Sequence, residues 1–501
     1  MLSGSAPPLR EREAVRIGLG AAAVVAMAAA ITLLPVGAPV VIAAGVLAVA
    51  AGMWLLSRPA QSLALMIVAV VICESDTQGF LPVTHWLYVR FPVVRLAPAD
   101  LLVLLAFASA VLGRIRARRP LSAPGVFSAP LALVAVATVW GVIMGKTGPA
   151  SGVDLLNEAR PLVVLLIVPL AVVNVVDDRA TLRRMVALLA GLAVFKGAEG
   201  MVGWLLGAGR PLAGSHITFY EPTANFVLLA LSLSIFAAFL LEGRVTWWAA
   251  GAGALMVVTL ALSFRRSFWI AALVGVVFVV AMTSGRRRRP FVLLAIAIVG
   301  LSLVVGVRAG GGSESSALTA RLQSLAPSSL SANAEDAYRL DEQRNVEAEL
   351  RQHPVTGLGL GVPWTPRFPL TESYAGATAY THVVFFWWWM KLGLPGLVAL
   401  LSLLGVGIVT AFRIGTRDPD PWGRAIGVGL GSALVGMLAA ETTGSFTGVD
   451  LRYTVMLGVV IGLLAVADRL SALPAINAPE GGAAGLRTRA RGRWARFVPE
   501  W

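Results

Sequence analysis

The feature that most constrains this 501-residue chain is a succession of long apolar runs separated by polar turns. Most runs approach the ~20 residues that a helix needs to cross ~30 Å of hydrocarbon, and the shortest ones are also compatible with re-entrant segments. The sequence therefore predicts an all-α polytopic membrane protein with about 12–14 transmembrane helices. The runs lie near residues 17–34, 38–56, 61–73, 97–113, 129–144, 160–176, 184–207, 223–241, 246–263, 267–283, 290–307, 382–412, 423–440 and 453–467.

Composition supports the same class. Hydrophobic residues make up 57% of the chain and charged residues 14%, against about 25% charged residues in soluble proteins. A net charge of +14 raises the question of nucleic acid, but the arginines punctuate the apolar runs instead of gathering on a soluble domain, so membrane lipids and not nucleic acid are the expected partners. The single cysteine, Cys73, excludes an intrachain disulfide and a cysteine-based metal cluster.

The basic clusters predict an orientation. If every run crosses once, they all fall on one side, which the positive-inside rule assigns to the cytoplasm together with both termini. The clusters lie at 114–119, 179–184, 244, 286–289, 413–417 and 487–496. The loops 74–96, 145–159, 208–222, 264–266, 308–381 and 441–452 then face outward. Arg265 and Arg266 stand in one of these outward turns, where the rule disfavours cations, so an anionic ligand is a better explanation than an interfacial anchor beside Trp269.

The long polar segment 308–381 exceeds the length of a passive connection and is predicted to be an extracytoplasmic catalytic loop. It divides the chain into an N-terminal bundle of about 11 spans (1–307), C-terminal helices (382–470) and a basic, disordered cytoplasmic tail (471–501). Within it, Asn333 to Arg351 predicts a polar helix that ends at His353-Pro354. The glycines of the following segment, 356–361, either form an ordinary loop or let backbone amides approach a ligand.

Several motifs together resemble the O-antigen ligase and polysaccharide polymerase family of GT-C-type membrane glycosyltransferases. They are Arg266 in Arg-Arg-Ser-Phe-Trp-Ile, Arg339 ahead of the polar helix and His353-Pro-Val-Thr-Gly-Leu-Gly-Leu-Gly361, and Thr381-His382 ahead of Lys391-Leu-Gly-Leu-Pro-Gly396. The stretch 214–225 also resembles an outward loop of the family. Val383 stands where the family usually has asparagine, which leaves open what contacts the histidine.

The resemblance implies a GT-C-like helix bundle and an undecaprenyl-diphosphate-linked glycan donor on the outer side of the cytoplasmic membrane. Arg266 and Arg339, with Arg265 as a weaker candidate, would bind the diphosphate, because guanidinium groups match phosphate oxygens. His382 would be the general base on the acceptor hydroxyl, although a lone histidine there is also compatible with a structural role. The implied transfer inverts the anomeric carbon and needs no metal or other cofactor.

Two questions remain open from the sequence. A lipid-linked oligosaccharide flippase or polysaccharide transporter is the alternative function, although internal repeats typical of transporters are not evident. Within the enzyme class, these motifs do not separate a ligase, whose acceptor is a lipid or protein, from a polymerase, whose acceptor is another glycan. If His382 is not the base, the nearest outward candidates are Glu221, His216 and Glu199.

Overall fold

The computed structural model describes residues 50–75, 81–91, 95–212, 215–217, 219, 221–243, 245–283, 334–370 and 377–472. Across these residues the chain is a bundle of helices, as the apolar runs predict. Eight described helices are long and apolar enough to cross a membrane, or nine if one bent pair is counted as a single span. The predicted runs 17–34 and 290–307, Asn333 and the tail 473–501 lie outside the described residues.

The helices of the N-terminal half follow the predicted runs closely. They are α1 (Ala50–Leu56), α2 (Pro59–Ile72), α3 (Pro98–Arg116), α4 (Ser128–Thr147), α5 (Gly152–Val175), α6 (Arg179–Leu205), α7 (Pro222–Glu242), α8 (Trp247–Leu262) and α9 (Arg266–Met282). α1 and α2 are bent by 117° at their junction, so the two helices are either one broken span or a re-entrant loop. Pro59 begins α2 at this bend, where its missing N–H costs no helical hydrogen bond.

The all-α prediction is confirmed apart from one small hairpin. Strands β1 (Arg210–Leu212) and β2 (Ser215–Ile217) pair antiparallel after α6. The C-terminal half contains α10 (Ala334–Leu350), α11 (Val384–Arg417), α12 (Pro421–Ala440) and α13 (Leu451–Ser471). Among the described residues, three short 3-10 helices lie in the connections: Pro82–Tyr88, Gly125–Phe127 and Ala377–Ala379.

Close packing places α12 and α13 at the centre of the bundle and leaves α3 and α4 at its edge. α12 approaches its neighbours through glycines. A Cβ atom at Gly429 would lie 2.3 Å from the Cα of Ser234 in α7, and one at Gly436 would lie 2.3 Å from the carbonyl oxygen of Ala271 in α9. Small residues that let helix backbones meet are a usual device in membranes, where apolar burial does not by itself drive helices together.

α11 is two helices joined at a break, although the sequence predicts one span over 382–412. Gly393 has φ 69° and ψ −169°, a conformation that only glycine adopts readily, and Pro395 follows it. At the break, the backbone N–H of Leu394 is directed out of the helix. It donates to the carbonyl oxygen of Val355 at 3.0 Å. The segment after α10 therefore docks where α11 is interrupted.

The two ends of the bundle differ in character. We call one the arginine-rich end: it holds residues 114–124, 176–184 and 413–424. The other, the loop end, holds the described residues 73–75, 81–91, 95–97, 148–160, 205–212, 215–217, 219, 221–222, 262–266, 334–370, 377–383 and 441–451. The described outward loops of the sequence prediction all lie at the loop end, where they contact one another through hydrogen bonds and ion pairs. Which end faces the cytoplasm stays a prediction.

Candidate active site

His382 lies at the loop end, two residues before α11 begins. Its backbone N–H donates to Oε2 of Glu342 at 2.8 Å, and its ring Nδ1 lies 3.0 Å from the same oxygen. The Glu342 side chain is 1% exposed, whereas that of His382 is 24% exposed. A carboxylate accepts, so in the neutral ring Nδ1 carries the proton and Nε2 keeps its lone pair. The geometry suits a histidine that accepts a proton at Nε2.

Glu342 is held in place by the packing of α10. Val346 and Leu350 of this helix are buried against Trp364 and Met390. Asn345, one turn after Glu342, is also buried and its amide oxygen accepts from the backbone N–H groups of Arg367 and Phe368 at 2.6 and 2.8 Å. A helix that is polar in sequence thus becomes a fixed element, because its polar side chains bind backbone groups that would otherwise lack partners.

Two tyrosines surround the histidine. The ring of Tyr380 lies 5.0 Å from that of His382 and the ring of Tyr338 lies 6.0 Å away, both edge to face. Burial raises the pKa of the Tyr380 phenol and the Glu342 carboxylate raises it further, whereas Arg265 and Arg339 act in the opposite direction. Both guanidinium groups are therefore within electrostatic reach of the phenol that packs on His382.

The predicted arginines come from two elements. Arg339 is in α10, one turn before Glu342, and Arg265 and Arg266 are the N-cap and first residue of α9. Phe264 adopts φ 51°, which turns the chain sharply between α8 and α9. The structure thus links Arg265 and Arg339 electrostatically to the surroundings of His382. Arg266 is half-buried beside Arg265, and adjacent residues project in different directions.

The loop 441–450 closes the site from the other side. Ser445 Oγ donates to the carbonyl oxygen of Thr381 at 2.6 Å, and the Val384 N–H donates to that of Glu441 at 3.1 Å. Burial raises the pKa of Glu441 to about 8 and that of Asp450 to about 6, and the charge of Arg265 acts on Asp450 in the opposite direction. The loop therefore brings the buried carboxyl group of Glu441 to the segment that carries His382.

The glycine segment does not offer its amides to a ligand. Leu358 and Leu360 N–H groups donate to the carbonyl oxygens of Met390 and Gly141 at 2.6 and 2.9 Å, and that of Gly361 donates to Oε2 of Glu158 at 2.6 Å. Its glycines have positive φ and touch backbone: a Cβ at Gly359 would lie 2.2 Å from Gly145 N. The ligand-approach interpretation was wrong, because the close approach that glycine permits here is to α4, α5 and α11.

A buried ion pair holds the glycine segment against α5 and α11. Lys391 Nζ in α11 lies 2.7 Å from Oε1 of Glu158 in α5 and donates to the Val362 carbonyl oxygen at 2.7 Å. Both the lysine and the loop thus share one carboxylate. Lys391, part of the motif after His382, is therefore a positioning residue for the loop.

The alternative bases are engaged elsewhere. Glu199 and Glu74 both bind Lys196, at 2.7 and 3.1 Å, in a buried cluster between α2 and α6. Glu221 pairs with Arg452 and accepts from Ser75. The side chain of His216 lies outside the described residues. These contacts favour His382 over Glu199 and Glu221, because each of the two carboxylates is already held by a cation.

Residues 251–401 match the family model described as O-antigen ligase. This segment belongs to the O-antigen ligase family. No curated protein matches the chain in sequence. The O-antigen ligase segment includes Arg265, Arg266, Arg339, Glu342 and His382. It also holds the glycine segment and the break in α11. Of the site described above, the loop 441–450 lies outside the matched region.

This match supports an O-antigen ligase-type function in polysaccharide assembly. α4 and α5, which contact the glycine segment, and the loop 441–450 lie outside the matched residues. Among the residues that the structure describes, no three His, Cys, Asp or Glu side chains gather in a way that could hold a metal ion. Metal independence stays a prediction. Glu342, Glu441 and Asp450 were missed from sequence, and only the departure at Val383 signalled that the histidine needed another partner.

Proposed function

We propose that the chain transfers a glycan from a polyprenyl diphosphate, of the undecaprenyl type, to an acceptor hydroxyl on the outer side of the cytoplasmic membrane. The acceptor is a glycan or a lipid. The observation that carries the proposal is the His382–Glu342 pair, which lies near Arg265 and Arg339 inside the O-antigen ligase segment.

His382 acts as the general base in this proposal. Nε2 takes the proton from the acceptor hydroxyl as its oxygen attacks the anomeric carbon and the bond to the diphosphate breaks. Glu342 holds the ring by Nδ1 and stabilises the imidazolium that forms, as a carboxylate behind a catalytic histidine does in other enzymes. One displacement inverts the anomeric carbon.

Arg265, Arg266 and Arg339 bind the diphosphate and stabilise the charge that it gains as it leaves. Guanidinium groups suit this task because their planar forks match phosphate oxygens and stay charged. The electrostatic link to Tyr380 supports Arg265 and Arg339 most directly. Arg265 therefore becomes a stronger candidate than the sequence alone made it.

The test is the product that the purified full chain forms in lipid from a polyprenyl-diphosphate-linked glycan. We expect His382→Ala to lower kcat about 10²–10⁴-fold with little change in donor binding. Glu342→Gln should lower kcat by a smaller factor. His353→Ala is the matched control, because His353 is exposed at the end of α10. Normal turnover by His382→Ala would remove the histidine from the chemistry.

The arginines have a matched control in the same helix. Arg339→Ala should abolish transfer and weaken donor binding, whereas Arg344→Ala, whose side chain is 70% exposed, should do neither. Arg339→Lys should recover little, since a point charge does not reproduce the fork. The same pair of substitutions at Arg265 and Arg266 then ranks the two residues. Donor binding unchanged in all three alanine variants would contradict the diphosphate assignment.

A further inference from the structure

The connection between α2 and α3 presents an apolar ridge at the loop end. Val83, Trp86 and Val89, in and just after the 3-10 helix Pro82–Tyr88, are 77%, 61% and 49% exposed. The opposite face of this helix is anchored, because Leu87 is buried and the Tyr88 hydroxyl donates to the carbonyl oxygen of Cys73 at 3.1 Å. A short helix fixed on one face, with tryptophan on the other, is suited to the membrane–water interface.

Two exposed arginines follow this ridge directly. Arg90 comes two residues after the helix, and Arg95 occupies a tight turn in which the Phe91 N–H donates to the Leu96 carbonyl oxygen at 2.9 Å. Arg95 has φ 59°, in the left-handed region that non-glycine residues rarely adopt. Such a conformation is retained where the surrounding structure holds it, and it often marks a functional position.

A third guanidinium group, that of Arg160 near the start of α5, completes the cluster. Burial lowers the pKa of Arg90, and the charges of Arg160 and Arg95 lower it further. Arg90 is thus close enough to Arg160 and to Arg95 to be repelled by both. Arg90 itself donates to the side-chain oxygen of Asn157, which is neutral and leaves its charge uncompensated.

Asp100 is the carboxylate that acts on Arg90, and it is already engaged by Arg160. The Arg160 Nε lies 2.5 Å from its Oδ1, and the Ala97 N–H donates to its Oδ2 at 2.7 Å. Three guanidinium groups against one buried carboxylate leave an excess of two positive charges. Cations without compensation at this end of the bundle run against the distribution that topology requires and so point to an anionic ligand.

We propose that Arg90, Arg95 and Arg160 bind the phosphate of an anionic phospholipid in the leaflet at the loop end, with Trp86 inserted beside it. Arginine forks match phosphate oxygens, and the apolar ridge next to them places the cluster at the depth of lipid headgroups. A soluble phosphate ion would contact the arginines but not the apolar ridge. A phospholipid would contact both, so it is the ligand that fits the whole surface. The assignment does not depend on the transferase proposal.

The test measures binding of phosphatidylglycerol to the purified full chain in phosphatidylcholine nanodiscs. Arg90→Gln/Arg95→Gln should weaken binding about tenfold or more, because charge-assisted hydrogen bonds to phosphate are lost. The control is Arg118→Gln/Arg119→Gln, which removes the same charge from the arginine-rich end and includes a second arginine with positive φ. It should leave binding unchanged at this site.

Two results would overturn the inference. An equal loss in both double variants would show general attraction to a basic protein, and no loss in Arg90→Gln/Arg95→Gln would show that the cluster holds no lipid. Inorganic phosphate supplies a separate arm: release of phosphatidylglycerol by millimolar phosphate would identify an ion site and contradict the lipid. Trp86→Ala should weaken retention as well, and thermal unfolding of each variant checks that the fold is intact.

Discussion

The arginine-rich end and the loop end use charge differently. At the arginine-rich end several ion pairs are partly open to solvent, as with Arg119 and Asp177, or Arg183 and Asp420. At the loop end the Glu342 side chain is enclosed, at 1% exposure, and Glu74 and Glu158 pair with Lys196 and Lys391 of the adjoining helices, whose side chains are both 0% exposed. Exposed pairs contribute little to stability, whereas an enclosed charge costs several kcal/mol unless its partners are well placed.

This contrast indicates where function is to be sought in such a bundle. Exposed arginines gathered at the arginine-rich end are expected from topology and need no ligand. Enclosed ionisable groups are expensive in a membrane protein and tend to be retained for a task. Glu342, which holds the histidine, and Lys391, which positions the loop, are of the second kind, although neither stands out in the sequence by charge alone.

Orientation gives the largest effect, because labelling of the two ends should be all or none. The chain has one cysteine, so Cys73→Ser provides a background into which Arg344→Cys or Arg118→Cys can be placed. We expect a membrane-impermeant maleimide to label Arg344→Cys in intact cells and Arg118→Cys only after permeabilisation. Equal labelling of both in intact cells would contradict the proposed sidedness, and labelling after solubilisation controls for reactivity.

Removing one member of an enclosed pair at the loop end should cost about 3–5 kcal/mol of unfolding free energy. Lys391→Met leaves Glu158 without its cation and frees the Val362 carbonyl oxygen. Chemical denaturation in detergent measures the loss, and Lys391→Met/Glu158→Gln should restore part of it. A single variant within about 1 kcal/mol of the parent would contradict the enclosed-pair interpretation.

Glu441 should make stability depend on pH. Its pKa of about 8 in the folded chain is above its ordinary value of 4.5, so the folded state favours the protonated form. The contribution of Glu441 to the unfolding free energy is then fully present below about pH 4.5. It falls as the pH rises towards 8, by at most about 1.4 kcal/mol per pH unit. Glu441→Gln should flatten the unfolding midpoint over this window. If the unfolding midpoints of the parent chain and of Glu441→Gln depend on pH in the same way, the carboxyl group of Glu441 is not neutral in the folded chain.

The smallest effect is expected at the arginine-rich end. Arg119→Gln breaks the pair with Asp177, in which the arginine side chain is 62% exposed, and should change the unfolding free energy by about 0.2–1 kcal/mol or less. Salt should reduce that difference further, because exposed pairs are screened. A loss as large as that of Lys391→Met would remove the contrast between the two ends.

Much of the fold was predictable because apolar runs and proline punctuation are local signals. The polar helix after 333 and its end near His353 are confirmed, and His382 was singled out by its place ahead of an apolar run. The break at Gly393 was hidden, since Gly-Leu-Pro-Gly sits inside a continuous apolar stretch. Its cause lies in the docking of Val355, which no local pattern reveals.

The candidate site was predictable only in part, because its partners are distant in the chain. Glu342 lies 40 residues before His382, and Glu158 lies 233 residues before Lys391. Nothing in the sequence distinguishes Glu342 from the other acidic residues of the polar helix α10. The partner of the glycine segment could not be predicted for a related reason. The glycines do allow a close backbone approach, but the sequence does not show whether they approach a ligand or a helix.

The glycine segment also sets an order of assembly. It settles against the backbone of Gly145 in α4 and Leu155 in α5, with too little room for a Cβ atom, and these helices leave the ribosome about two hundred residues earlier. Its other contact, at Gly393, emerges afterwards. Because α4 and α5 are synthesised first, they are available to pair before the segment packs against them. A growing chain halted before residue 382 contains α4 and α5 but not the proposed base, so catalytic competence arrives late in biogenesis.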